Sequence, residues 1–379
     1  MSELRKDAAV LRHWLFEQAL PLWSNVGADR TGGGYHEAID LDGTPVAKPH
    51  RARSIARMAF SFCEAGRLGW NGPWRVAAER ALVYLAKHFM SNDGTVVSVV
   101  GIDGNVVDTS FDLYNQAFAL LAFAEGHRVF PETTGWRRHA EALRATLMGP
   151  FAHPLGGFRE HRIAGVPQRS NPHMHLLEAA LAWCTADDEP PWRVMAENIV
   201  VLCLEQLIDP ESGAVREFFD GDWLPAAGIA GRIAEPGHCY EWAFLLDRWA
   251  KLFGRQRPEA IARLIAFADR YGLDGDRGVA VNAVLLDGSI HDPVARLWAQ
   301  AERVRAYVSD RRPDAEIAAA IEGLTRFLTT PHPGLWFDQL SPDNRFVNEP
   351  SRATSLYHIV GTVAELRQWE DQPSSGRPA

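Results

Sequence analysis

Two kinds of apolar pattern alternate along the chain. WRVAAERALVYLAKHF (74–89) and WRRHAEALRATL (136–147) set charges at helical spacing opposite an apolar face, the mark of a helix with one side in water. Between such stretches lie others that are apolar on nearly every side, such as NPHMHLLEAALAWC (171–184), interrupted only by isolated polar residues. A third pattern, short β-type runs around a turn signal such as DG or PDN, precedes each of the apolar stretches and predicts a hairpin.

These patterns repeat six times. With Gly34, Gly94, Gly157, Gly213, Gly278 and Gly334 as markers, the steps are 60, 63, 56, 65 and 56 residues. Each step leaves room for two helices. The predicted pairs are 50–68 with 73–90, 112–127 with 135–149, 171–186 with 191–207, 237–254 with 258–271, and 290–309 with 313–330. After the sixth hairpin only 351–368 remains. The N-terminal segment reads as an amphipathic helix with Val10, Leu11, Trp14, Leu15 and Leu22 on one side, and it supplies the missing partner if the chain ends meet.

An open solenoid would need polar caps, whereas ends that complement each other predict a closed ring. The expected fold is therefore all-α, an (α/α)6 toroid with short β-hairpins at one mouth. It forms one domain over residues 1–370, followed by a disordered tail at 371–379. The helices that follow the hairpins are placed inside, because the second helices carry the regular charged faces.

Composition narrows the function. With 46% hydrophobic residues among 379 the chain can bury a large core, and a net charge of −9 disfavours nucleic acid and anionic membrane. No apolar run is long enough to span a bilayer, and the N-terminus lacks the apolar block of a signal peptide. Cys63, Cys184, Cys203 and Cys239 have no metal-type spacing and read as reduced core thiols of a cytoplasmic protein. No P-loop or dinucleotide fingerprint is present, and no cofactor is expected.

The starts of the inner helices carry the chemistry. They offer His50, Arg53 and Arg57; Asp112 and Tyr114; Asn171, His175 and Glu178; His238 and Glu241; Arg296, Trp298 and Glu302; Arg352 and His358. A single histidine on an apolar helix is most simply a satisfied core residue. Six repeats with polar groups at like positions instead predict a polar cavity, because burying them unpartnered costs several kcal/mol each. Spacings H-x-H-x-x-E at 173–178 and H-x-x-E at 238–241 suit metal ligation, but carboxylates so placed equally orient catalytic imidazoles. The expectation adopted is no metal.

At these residues the chain resembles the N-acylglucosamine 2-epimerase superfamily, nearly end to end. The resemblance rests on A-R-M at 56–58, D-L-Y-N-Q-A-F at 112–118, N-P-H-M-H-L-L-E-A at 171–179, E-P-G-H-x-x-E-W at 235–242, R-L-W-A-Q-A-E at 296–302 and Y-H-I-V at 357–360. The chain departs from the pattern at Ala299, where proline is expected. The resemblance implies an (α/α)6 barrel and a sugar isomerase or 2-epimerase, closest to the D-mannose isomerase branch. It implies His238 and His358 as the acid/base pair, with Glu241 holding His238 and Arg57 stabilising an enediolate. Tyr114, Asn171, His175, Glu178, Trp298 and Arg53 would bind substrate, helped by hairpin aromatics Tyr35, Phe158, Trp223 and Trp336. The expected partner is a free monosaccharide, bound by a monomer or homodimer. A glycoside hydrolase on the same toroid would instead need two carboxylates flanking the bond.

Overall fold

The computed structural model describes residues 3–371 except 162, 164 and 188. Six inner helices, α3 (Ala52–Arg67), α5 (Leu113–Val129), α7 (Ser170–Ala186), α9 (Pro236–Phe253), α11 (Leu297–Ser309) and α13 (Leu356–Asp371), pack in a ring, with α13 returning to α3. Outside them lie α4 (Trp74–His88), α6 (Gly135–Met148), α8 (Pro190–Leu202), α10 (Ala260–Gly272) and α12 (Asp314–Thr325). The sixth outer position is filled by α1 (Glu3–Trp14) and α2 (Leu20–Asn25), which share one bent axis through a π-turn at Leu15–Ala19. Pro21 accounts for that turn, since it has no N–H to continue the regular ladder. The fold is the (α/α)6 barrel expected from the repeat.

The order of burial follows from the two apolar patterns. In α7 and α9 almost every side chain is buried, whereas α6 buries only Trp136, Ala140, Leu143 and Leu147. In the N-terminal helix the buried stripe is Leu4, Ala8, Leu11 and Leu15; Val10, assigned to that stripe from sequence, is 64% exposed. Two inner helices start later than predicted. Residues before Leu297 form the strands Ile290–Asp292 and Ala295–Arg296, and Ser351–Arg352 is also a strand, leading through a 3-10 turn into α13. Of the tail assigned to 371–379, only Asp371 lies within the described residues, and it ends α13.

All six marker glycines have φ between +70° and +85°, where a side chain would strain the backbone, so the repeat marks one recurring turn. The hairpins do more than connect. In five of the six repeats the short strand before the inner helix pairs with the following hairpin, as His50–Arg51 does with Val99–Val100 and Ala295–Arg296 with Gln339–Leu340; before α5, Val106–Asp108 pairs instead within its own hairpin. The series closes when Ser351–Arg352 pairs with Ala38–Ile39 of the first hairpin.

The hairpins also cap helices from outside. The side chain of Glu37 accepts from the Arg51 N–H at 2.7 Å and the Ser54 hydroxyl at 2.8 Å, and Asp338 accepts from the Arg352 N–H at 2.9 Å. The backbone N–H groups of Arg51 and Arg352, at two of these starts, are thus satisfied across the rim rather than by local caps.

Closure buries indole against indole. Trp23 of α2 stacks on Trp336 of the last hairpin at 5.0 Å between centroids, and Trp14 meets the same ring edge-on at 6.4 Å. Both Trp23 and Trp336 are fully buried. Trp23→Ala should therefore cost about 3–5 kcal/mol of unfolding free energy in urea titration; a loss well below 1 kcal/mol would mean the ends do not hold the ring shut.

Candidate active site at the rim of the inner ring

A polar chamber of about 180 Å³ opens at the hairpin end of the ring. Its wall takes Arg57 from α3, Tyr114 from α5, Asn171 and His175 from α7, His238 and Glu241 from α9, Trp298 from α11 and His358 from α13. Every inner helix contributes. Eight of the ten residues selected from sequence are brought together here. Arg53 instead lines an adjoining outer vestibule, and Glu178 lies buried beneath the chamber, 2% exposed, without lining it.

His238 and His358, the two histidines expected to exchange protons with substrate, are each held at Nδ1 by a separate carboxylate. His358 Nδ1 lies 2.7 Å from Glu302 Oε1, and His238 Nδ1 lies 2.9 Å from Glu217 Oε2. With Nδ1–H donated to the carboxylate, Nε2 of each ring is left for the chamber. Trp298 lies between them, its ring 4.9 Å from that of His238 and 5.9 Å from that of His358. Gly237 makes this approach possible, because a Cβ there would come within 2.4 Å of the Trp298 ring. Alanine at 299 in place of the expected proline leaves Trp298 in the wall of the chamber.

The two imidazoles differ in charge. Burial pushes the pKa of His358 down, the Arg57 and Arg305 guanidiniums push it further, and the result lies well below 6.5. Burial pushes His238 down as well, but Glu217 and Glu235 outweigh it and raise the group to about 10. At neutral pH one ring is imidazole and the other imidazolium. Environments that drive two titratable groups apart mark a base and an acid.

The holder of His238 is thus Glu217 and not Glu241, as had been expected from the i,i+3 spacing. Glu217 occupies the hairpin position held elsewhere by Glu37, Ser98, Glu160, Asn282 and Asp338, and it also accepts from the Ser170 hydroxyl at 3.1 Å. A recurring polar residue inside an apolar strand was the available sequence signal. Glu241 is 1% exposed, both carboxylate oxygens lack a hydrogen-bond donor, and it lies 3.7 Å from His175 Nδ1. Burial, then Glu302 and Glu178, raise it well above the ordinary carboxyl range. It faces the chamber with its carboxyl biased toward the protonated form.

Beneath the chamber Arg305 organises the remaining charge. It contacts both Glu302 oxygens at 2.9 Å and Glu178 at 3.5 Å, while the Tyr357 hydroxyl donates to Glu178. Burial would raise Glu178, but His175 and Arg305 hold it down at about 2. Burial also lowers His175 to about 4, so His175 is a neutral ring. Above it, Arg57 donates to the Tyr114 hydroxyl at 2.5 Å and the Thr354 carbonyl at 3.2 Å, over the Phe118 ring at 4.1 Å. The Asn171 side-chain carbonyl is buried without a donor.

Three groups have ligand atoms within 4.8 Å of one another, as a metal would require: His175–Glu178–Glu241, Glu217–Glu235–His238 and Glu241–Glu302–His358. In each, a carboxylate is already engaged by Arg305 or by an imidazole. The hairpin aromatics proposed as sugar contacts are structural. Tyr35, Phe158, Trp223 and Trp336 are all buried, and the Tyr35 hydroxyl donates to the Ala77 carbonyl at 2.9 Å.

The Glu217–His238 pair has a signature in stability. Because His238 titrates near 10 when folded and near 6.5 when unfolded, the pair stabilises fully below pH 6.5 and is lost as pH rises through 10. The unfolding free energy of the protein should fall by a few kcal/mol across that window. In Glu217→Gln most of that slope should vanish; an identical slope would assign it elsewhere.

Comparison with known proteins identifies the family. Residues 33–362 match the family model described as N-acylglucosamine 2-epimerase. The chain is 42% identical over 377 residues to a protein of Rhizobium meliloti (strain 1021) named mannose-6-phosphate isomerase, covering 96% of this chain and 97% of that one. It is 24% identical to a cellobiose 2-epimerase of Bacteroides fragilis, over 93% of this chain and 95% of that one. The solved structure of a D-mannose isomerase superposes with a TM-score of 0.83 at 20% identity, covering 95% of this chain and 97% of that one. The chain is a member of the N-acylglucosamine 2-epimerase family, whose proteins isomerise or epimerise sugars.

Proposed function

We propose that the protein interconverts a mannose-configured aldose and its 2-ketose, D-mannose and D-fructose in the simplest case, by proton transfer through an enediolate. The reading is carried by one observation: two imidazoles from different inner helices, each tied at Nδ1 to its own carboxylate, share a chamber of about 180 Å³.

Neutral His358 is the base. Its Nε2 removes the proton from C2 and returns it to C1. Cationic His238 is the acid. It protonates the ring oxygen as the C1–O5 bond breaks, takes up the proton that the C1 hydroxyl releases as C1=O forms, and afterwards moves the O2 proton to O1 as the enediolate becomes the ketose. Negative charge on the enediolate oxygens is met by the Arg57 guanidinium, fixed in advance by Tyr114 and Thr354. Neutral Glu241 and Asn171 offer further hydrogen bonds to sugar hydroxyls. The names of the relatives support both a free and a phosphorylated mannose as substrate, and the chamber serves the C1–C2 end common to the two.

Return of the proton to C2 from the opposite face would give the epimer instead. Incubation with D-mannose should yield fructose; glucose without fructose would contradict isomerisation and favour an epimerase. In D2O the recovered sugar should carry deuterium at C1 or C2, and chelators should not abolish turnover. Retention of all protium would point to a hydride shift. His358→Ala and His238→Ala should each lose about 10²–10⁴-fold in kcat. The pH profile of kcat/KM should be a bell, with its acid limb below 6.5 from His358 and its alkaline limb near 10 from His238.

A further inference from the structure

The residue just before each inner helix, or in the sixth repeat before the 3-10 turn that leads into α13, occupies the same place in every repeat. In order these are Arg51, Asp112, Arg169, Glu235, Arg296 and Arg352. The two acids have evident local uses. Asp112 caps its helix by accepting from the Tyr114 N–H, and Glu235 lies 3.7 Å from His238. Arginine is a poor choice on local grounds, because it offers no acceptor to the free N–H groups and its charge meets the positive end of the helix dipole. None of the four arginines makes a side-chain cap. A locally unfavourable residue repeated at equivalent positions marks a demand other than folding.

All four arginines line a vestibule of about 700 Å³, which joins the inner chamber along a wall shared by Arg57, Tyr114, Asn171, Arg296 and Arg352. Lys48 and Arg53 bring the cations to seven against the carboxylates of Glu37 and Asp112, on a chain whose net charge is −9. Some of these charges are already answered. Arg53 lies 3.5 Å from Asp112, Arg169 lies 2.5 Å from Glu160, and Arg352 lies 2.8 Å from Glu349. Among the described residues, Lys48, Arg51, Arg57 and Arg296 form no ion pair with a carboxylate. Arg57 is 5% exposed, and the buried Nε atoms of Arg57 and Arg296 have no acceptor. Guanidiniums held this way are costly unless an anion arrives to meet them.

We infer that this vestibule is a subsite for a phosphate monoester at the far end of the sugar, so that the preferred substrate is a phosphorylated aldose. The orientation, with C1 and C2 at the histidines and the phosphate among the arginines, rests on the isomerase reading above. A phosphate brings close to two charges and three acceptor oxygens, which suits several guanidinium forks better than one carboxylate or a hydroxymethyl group does. The converging helix N-termini favour the same charge.

Equilibrium binding tests the subsite apart from turnover. Full-length His358→Ala should bind D-mannose 6-phosphate at least ~10-fold tighter than D-mannose at low ionic strength, since one charge-assisted contact is worth about that factor. The advantage should shrink with added salt and fall at least ~3-fold on adding Arg51→Gln, with Arg51→Lys keeping part of it. The ligand-induced rise in unfolding temperature of the wild-type protein gives the same comparison if His358→Ala does not fold. Equal binding of the two sugars, or an advantage untouched by Arg51→Gln together with Lys48→Gln, would overturn the subsite. Isomerisation of mannose with equal binding would overturn the subsite alone; tight phosphate binding without isomerisation of either sugar would overturn the isomerase reading alone.

Discussion

An imidazole buried beside its substrate is useful only if one nitrogen is committed and the other is free. Here the commitment is a single hydrogen bond from Nδ1 to a buried carboxylate, made once by Glu302 and once by Glu217. The two bonds are alike in geometry, but their surroundings are opposite in charge. Arg57 and Arg305 bear on His358, while Glu217 is joined by Glu235 around His238. Under the proposed function this separates acid from base within one small chamber, by which guanidiniums and carboxylates lie near each ring.

That arrangement depends on closure of the ring. His358 sits on the last inner helix and Arg57 on the first, so neither would face the other in an open solenoid. The indole stack of Trp23 on Trp336 and the pairing of Ser351–Arg352 with Ala38–Ile39 bring these ends together. Closure also turns six helix N-termini toward one rim. Except at α5, where Asp112 caps its own helix, local side-chain capping is given up there, with hairpin carboxylates such as Glu37 and Asp338 taking over backbone N–H groups across the repeat boundary. The positions released from capping are those at which arginine recurs.

Much of the architecture was legible in the chain because two periodicities are superposed. Glycines that need positive φ mark the hairpins, and charged against all-round apolar patterns separate outer from inner helices. Residues on the first turns of the inner helices could therefore be assigned to a common chamber. Contacts across repeats were not legible. The i,i+3 spacing of His238 and Glu241 invited a local pair, but side chains so spaced share a face without being obliged to meet, and Glu217 reaches His238 from a hairpin 21 residues away. The hairpin aromatics misled for a related reason: alternation in a strand tells which residues share a face, not whether that face meets ligand or core. Ala295–Arg296 and Ser351–Arg352 look like helix starts in sequence, yet neighbouring hairpins draw them into strands.

The central claim is that the two histidines carry different charges in the same chamber at neutral pH. Nitrogen NMR of imidazole-labelled protein, assigned with the His238→Gln and His358→Gln variants, reads this directly. The account predicts that His238 remains an imidazolium until about pH 10 and that His358 is neutral throughout the neutral range, protonated on Nδ1. Two rings titrating together near the ordinary histidine value would contradict it.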